Sequence, residues 1–331
     1  MAEKHQKTNP LLTIAIPHLN DPGGLEHTLA AVCPYTSEDI EIIVCENRSD
    51  EIFEAKLKQI RLKFDKPKFL RSSVKLDYDA NIDRCVLNSR GDYVWLIGCG
   101  DFPIGESIVN IARILKENSE VSNFLVLVKT SLENMRIDNA LSIKRKPIQK
   151  RKTVTLDQTF NPALSGNIFK REAWLDQIKK GLVFTNWGHV ERSLQIQSQE
   201  QTKFVEISSQ EGAIHVDQPE EGWWMQDDHT FLLNTLLFRS VLSYYHANTN
   251  LKRYDLPFTP NRVSTSVLKA ILYSRTIETP ATKETVEQVL DCLAPDQLSY
   301  AFYKLVNGMP KTLVRLLRRM LKAIYRLAPI N

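Results

Sequence analysis

The strongest constraint on this chain is the regular alternation, over its first 130 residues, of short apolar runs with segments of helical spacing. LLTIAI (11–16), IEIIVC (40–45), KFL (68–70), DYVWLI (92–97) and NFLVLVK (123–129) read as five strands. Between them, Gly23–Cys33 repeats apolar side chains at Leu25, Leu29 and Val32, and a second helix is expected from about Asp50 to Leu62. Asp79–Ser89 carries Ile82, Cys85 and Val86 at helical spacing, and a fourth helix is expected from about Gly105 to Glu117. Strands that are apolar throughout must be covered on both faces, and strands that alternate with helices form a mostly parallel sheet. Such sheets bind ligands beyond the carboxyl ends of their strands. The stretches to inspect are therefore Pro17–Asp21, Glu46–Asp50 and Gly98–Asp101, each of which carries a carboxylate.

After about residue 130 the alternation decays. SGNIFK (165–170), a helix near Arg171–Lys180, the aromatic stretch VFTNWGHVERSLQI (183–196) and two short strands within 203–216 follow, and from Asp228 onward the pattern is helical. Three regions are expected: a first half over 9–130 that holds the strand-end sites, a second over 131–230 that carries the aromatic stretch, and a helical region over 231–331. Charge is uneven. The net charge is only +4, yet residues 142–153 and 311–326 each hold six Lys or Arg and no acid, so the rest of the chain is acidic. The first basic stretch has no aromatic interleaving or recognised module, which argues against nucleic acid. The second, KTLVRLLRRMLKAIYRL, places Leu313, Leu317, Met320 and Ile324 on one stripe opposite its cations, as suits an anionic membrane surface or a packed helix with solvated arginines. The five cysteines are widely spaced without a CxxC pair, and are expected to be reduced. The polar start MAEKHQKTNP is no signal peptide, and no apolar run reaches the ~20 residues of a membrane span, so a cytoplasmic place is expected, with the membrane face as an option.

Each strand-end stretch has two readings. In PHLND, Asn20 or Asp21 could bind a base or simply form the turn and cap before the next helix. In ENRSDE, Glu46 could accept hydrogen bonds from a base or ribose, while Ser49 or Asp50 caps the following helix. In GCGD, glycines allow close approach of backbone to ligand, and Asp101 could hold a divalent cation or cap the helix near Gly105.

Taken together, TIAIPHLN, IIVCENRSDE and YDANIDRCVLNSRGDYVWLIGCGD resemble the family 2 glycosyltransferases of the GT-A fold. The wording YD-x-N … G-x-Y-x-W-x-x-G is similar to that of the abequosyltransferase-like branch. The likeness covers residues 11–102 and fades by about residue 200. It implies a GT-A type, Rossmann-like, mostly parallel sheet flanked by helices, with a helical C-terminal region. The implied activity is that of an inverting, hexosyltransferase-like enzyme, which moves a sugar from a nucleoside-diphosphate sugar to a glycan or lipid-linked acceptor in surface polysaccharide synthesis. By the same resemblance Pro17, Asn20, Glu46, Asn81, Arg84 and Gly100 line the nucleotide-sugar pocket, and Asp101 is the last acid of a motif that binds Mg²⁺ or Mn²⁺. Gly98, Cys99 and Gly100 stand where other members place further acids. The Glu-Asp pair that carries the general base elsewhere is absent; NWGHVERSLQI offers His189 and Glu191 instead. An imidazole, with an ordinary pKa of about 6.5, can serve as a base at neutral pH. His215 is a candidate downstream metal or diphosphate ligand. The thinned acid motif keeps a rival open, a catalytically inactive GT-A-like protein that binds a sugar nucleotide or partner. A nucleotidyltransferase fits poorly, because PHLNDPGG has no Lys or Arg.

Overall fold

The computed structural model describes residues 9–130, 159–161, 163–183, 187–199, 204–207, 213–216, 228–253, 304–306, 308–310 and 312–317. They fall into two compact units, Met1–Gln218 and Pro219–Asn331. In the first unit the chain runs β1 (Leu12–His18), α1 (Pro22–Val32), β2 (Ile40–Glu46), α2 (Glu54–Lys63), β3 (Lys68–Arg71), α3 (Tyr78–Asn88), β4 (Tyr93–Leu96), β5 (Phe102–Pro103), α4 (Ser107–Glu117), β6 (Asn123–Leu125) and β7 (Leu127–Thr130). It continues with β8 (Asn167–Lys170), α5 (Arg171–Ile178), α6 (Gly188–Gln197), β9 (Phe204–Glu206) and β10 (Ala213–Val216). The second unit contains α7 (Asp228–Asn248).

Seven strands form one sheet in the order β3-β2-β1-β4-β8-β6-β9, and β5-β10-β7 form a small second sheet. The β1–β2, β2–β3, β1–β4 and β6–β9 pairs are parallel, whereas β8 lies antiparallel between β4 and β6. Alternate strand residues point to opposite faces, and both faces are buried. On one face Leu12, Ile14, Ile16, Ile42 and Trp95 pack against Leu25 and Leu29 of α1, Leu57 and Ile60 of α2, and Ile108 and Ile111 of α4. On the other, Ala15, Ile43, Val94 and Leu96 meet Ile82 and Val86 of α3, Trp174 of α5 and Ile196 of α6. This double burial is why the strands read as continuous apolar runs.

Two expectations change. The run NFLVLVK is not one strand: β6 ends at Leu125 and β7 begins at Leu127, and the two belong to different sheets. At the break, Val126 N–H donates to Gly166 O, so the segment before β8 draws the chain aside. Neither Ser49 nor Asp50 caps a helix with its side chain: a 3-10 turn at Glu51–Phe53 precedes α2, and both side chains turn back to Asn20.

Candidate active site

Strand order reverses at β1, with β2 on one side and β4 on the other, and the carboxyl ends of these strands gather the polar residues. The β1–β2 ladder extends to His18↔Glu46, but the β1–β4 ladder stops at Ala15↔Leu96. Pro17 lies just past that point and has no N–H to continue it. The two strands part there, and GCGD turns away with the Cys99 thiol donating to Pro17 O at 3.5 Å.

At the β2 end, the loop is cross-linked by its own side chains. Asn20 sits at φ 56 and donates its backbone N–H to Ser49 Oγ (2.9 Å); its side chain exchanges two 2.8 Å hydrogen bonds with Asp50. Asp21 is the N-cap of α1 and accepts from Gly24 N–H. Asn47 clamps Leu76 by accepting its N–H and donating to its carbonyl, which fixes the approach to α3. Glu46 is buried; Ser49 N–H donates to its Oε1, and Arg71 Nε lies 3.2 Å from its Oε2. Asn81 donates to Cys45 O, and Arg84 donates to Glu46 O (3.1 Å) and Leu70 O (2.6 Å), tying β2 to β3. His18, which the sequence reading passed over, is buried beside Ser49 Oγ at 3.4 Å. Burial holds its pKa below the ordinary 6.5, against the raising influence of Glu46 and Asp21.

At the β4 end, Gly100 adopts φ 90, a conformation side-chain-bearing residues avoid. Thr28 of α1 holds this turn, accepting from Gly100 N–H (3.0 Å) and donating to Asp101 O (2.9 Å). The Asp101 side chain is buried and accepts from the Ser165 hydroxyl. Asp101 lies close enough to Tyr78 and Cys99 that its charge adds to burial in pushing both groups well above their usual range. It caps no helix, since α4 begins at Ser107.

α6 reaches this end through WGH. Gly188 N–H donates to Asp79 Oδ1 at 2.8 Å, and a Cβ at Gly188 would lie 2.6 Å from that oxygen, so only glycine lets α6 come so near α3. His189 then packs edge-on to Tyr78 (6.1 Å between ring centroids) and beside Trp187 (5.8 Å). Glu191 is buried and accepts from Val183 N–H. Glu46 and Arg84 lie on the β2 side. His215 stands in β10 opposite Phe102 in register, and its ring packs on Phe102 at 4.7 Å, with His27 on that ring's other partner contact. The basic stretch 142–153 lies outside the described residues.

As for a metal, no group of three His, Cys, Asp or Glu side chains among the described residues is arranged to hold one. Asp101 can give one hard oxygen ligand at this strand end. A Mg²⁺ or Mn²⁺ ion held by this one carboxylate would take the rest of its shell from water and, with a nucleotide bound, from its phosphate oxygens.

The family Glycosyl transferase family 2 matches residues 13–175. That match spans about half of the chain, and the sheet is of GT-A type. Among solved structures, S. aureus TarS 1–349 in complex with UDP-GlcNAc is similar at a TM-score of 0.56 and 10% identity, covering 85% of this chain and 81% of that one. The mannosyltransferase PcManGT from Pyrobaculum calidifontis, in complex with GDP-Man and Mn²⁺, is similar at 0.53 and 14% identity, covering 90% and 79%. At such identities the likeness is one of fold. No curated protein matches the chain.

Proposed function

We propose that this protein transfers a sugar, with inversion, from a nucleoside-diphosphate sugar to a glycan or lipid-linked acceptor in surface polysaccharide synthesis. The observation that carries the reading is the match of residues 13–175 to glycosyltransferase family 2, over a sheet that places Asp101 just past β4, with His189 edge-on to Tyr78 of α3. The acceptor hydroxyl attacks the anomeric carbon as the bond to the diphosphate oxygen breaks; His189 takes the hydroxyl proton, and the diphosphate leaves with the bonding electrons. A divalent cation, when bound with the donor, supplies charge stabilisation to the leaving group. Asp101 orients the donor, and Pro17, Asn20 and the Glu46 loop border the base. The neighbours' UDP-GlcNAc and GDP-Man ligands suit a donor of this class. The YDAN and GDYVWLIG wording supports the abequosyltransferase-like branch.

The reaction is proposed to occur at an anionic membrane on the cytoplasmic face, met by the basic segment 311–326. Its described part, 312–317, is helical, with Val314 buried and Leu313 and Leu316 exposed at 44% and 54%. No helix among the described residues is long and apolar enough to cross a membrane.

A screen of nucleotide sugars by thermal shift and labelled-sugar transfer, with and without Mn²⁺, tests the reading. The right donor raises the melting temperature by mass action and supports turnover that His189→Ala loses. A donor bound without turnover favours the inactive rival, and no donor bound overturns both. Sedimentation with phosphatidylglycerol vesicles but not phosphatidylcholine vesicles checks the membrane contact.

A further inference from the structure

The Asp101 carboxylate is not simply exposed to the crevice. The serine that holds it, Ser165, comes from 64 residues away, in the short 3-10 turn Leu164–Gly166 before β8. That turn is fixed from two sides: the Trp95 indole donates to Ser165 O at 2.8 Å, and Val126 N–H donates to Gly166 O at 2.9 Å. Ser165 is fully buried. Its Oγ accepts Gly98 N–H at 2.9 Å, so its single hydrogen is committed to Asp101 Oδ2. Thr28 holds the backbone of the GCGD turn, leaving Ser165 to set the carboxylate. The carboxylate lies back over Gly98: a Cβ there would be 3.0 Å from Asp101 Oδ2 and 3.7 Å from Ser165 Oγ. The missing side chain at residue 98 is the space that Asp101 occupies.

We propose that Ser165 and Gly98 form a latch for Asp101, and that Ser165 is a positioning residue which weakens the site's grip on a divalent cation. To give Oδ2 to a cation, Asp101 must leave a charge-assisted hydrogen bond, and that loss is subtracted from the cation's affinity. This inference rests on the glycosyltransferase reading for the cation's role, but the latch itself is a property of three residues and can be measured alone. Two substitutions release it independently. Ser165→Ala removes the hydroxyl. Gly98→Ala leaves the hydroxyl in place and presses on the carboxylate, with a Cβ 3.0 Å from Oδ2. Ser165→Thr keeps the hydroxyl.

Mn²⁺ binding is followed by electron paramagnetic resonance on the full chain, with Mn²⁺ alone and with Mn²⁺ plus UDP or GDP. Breaking a hydrogen bond to a charged group corresponds to a change of about tenfold or more. Ser165→Ala should tighten Mn²⁺ by about tenfold, Gly98→Ala should tighten it by less, and Ser165→Thr should bind like wild type. A thermal melt confirms that each variant is folded. Folded Ser165→Ala that binds Mn²⁺ no more tightly than wild type overturns the latch, as does Gly98→Ala without effect. If the variants tighten Mn²⁺ alone but neither nucleotide binds any form of the protein, the latch stands and the glycosyltransferase reading falls.

Discussion

Two acids close the strands on either side of β1, Glu46 at the end of β2 and Asp101 just past β4, and the protein treats them differently. Glu46 is locked among partners of its own region: Ser49 N–H on one oxygen, Arg71 beside the other, and Arg84 on its carbonyl. Asp83 is also locked, here by partners 91 and 109 residues away. It accepts from the Trp174 indole at 2.8 Å and pairs with Arg192 at 2.9 Å, and Arg192 donates onward to Gln177 O and Gly181 O. Asp101 instead hangs from a glycine turn, with its side chain held from a distant segment and near the rings of the crevice. An acid that ends a strand is therefore not yet a ligand site. The nature of its partners, an arginine at Glu46 and Asp83 and a serine hydroxyl at Asp101, decides whether it holds the fold or serves a substrate.

The widest test of this contrast lies beneath the site. Arg192→Ala leaves the partly buried Asp83 without its cation and should destabilise the domain by about 1.5–3 kcal/mol in denaturant unfolding. A smaller loss than that of an exposed pair would show that the α3–α5–α6 junction is held by packing alone. Next, Asp101→Asn should lower transfer by about 10²–10³-fold while leaving the melting temperature nearly unchanged. Glu46→Gln should do the reverse, costing about 1–3 kcal/mol of stability through the disturbed Arg71 contact. If Glu46→Gln instead spares stability and abolishes donor binding, the contrast between the two acids disappears. At Asn20, alanine must adopt φ 56 and forgoes the Asp50 pair, whereas glycine forgoes only the pair. Asn20→Ala should therefore be less stable than Asn20→Gly by about 1 kcal/mol.

The smallest effect is one of pH. His18 titrates lower in the folded than in the unfolded protein, so the unfolded chain binds the extra proton first. Its contribution to stability is complete above pH 6.5 and declines as pH falls below that value toward the folded pKa. Stability curves of wild type and His18→Gln should converge over that range, and parallel curves would mean that His18 does not titrate as argued.

Much of this fold was legible, because β1, β2 and β4 are buried on both faces and cannot hide their apolar runs. Helix and strand limits in the first 125 residues differ from expectation by a few positions at most. The legible part ended where partners are remote. Nothing in NFLVLVK marks Val126 as the break between two sheets, since the cause is Gly166, forty residues on. Nor does Ser165 announce itself beside Asp101, or Arg192 beside Asp83. Sequence spacing displays local periodicity, but a hydrogen bond across 64 or 109 residues leaves no periodic trace.

The antiparallel strand β8 has a consequence for how the chain is made. Until Asn167–Lys170 slips between β4 and β6, the parallel half of the sheet ends in an open edge at β4, with Trp95 awaiting the carbonyl of Ser165. Such an edge invites pairing with other chains. During synthesis this half must wait for some seventy further residues before it can be sealed, a non-local closure that slows folding. A fragment ending before Asn167 should thus aggregate rather than fold. The segment that seals the sheet is also the one that brings Ser165 to Asp101, so the crevice acquires its final chemistry in the same event that removes the sticky edge.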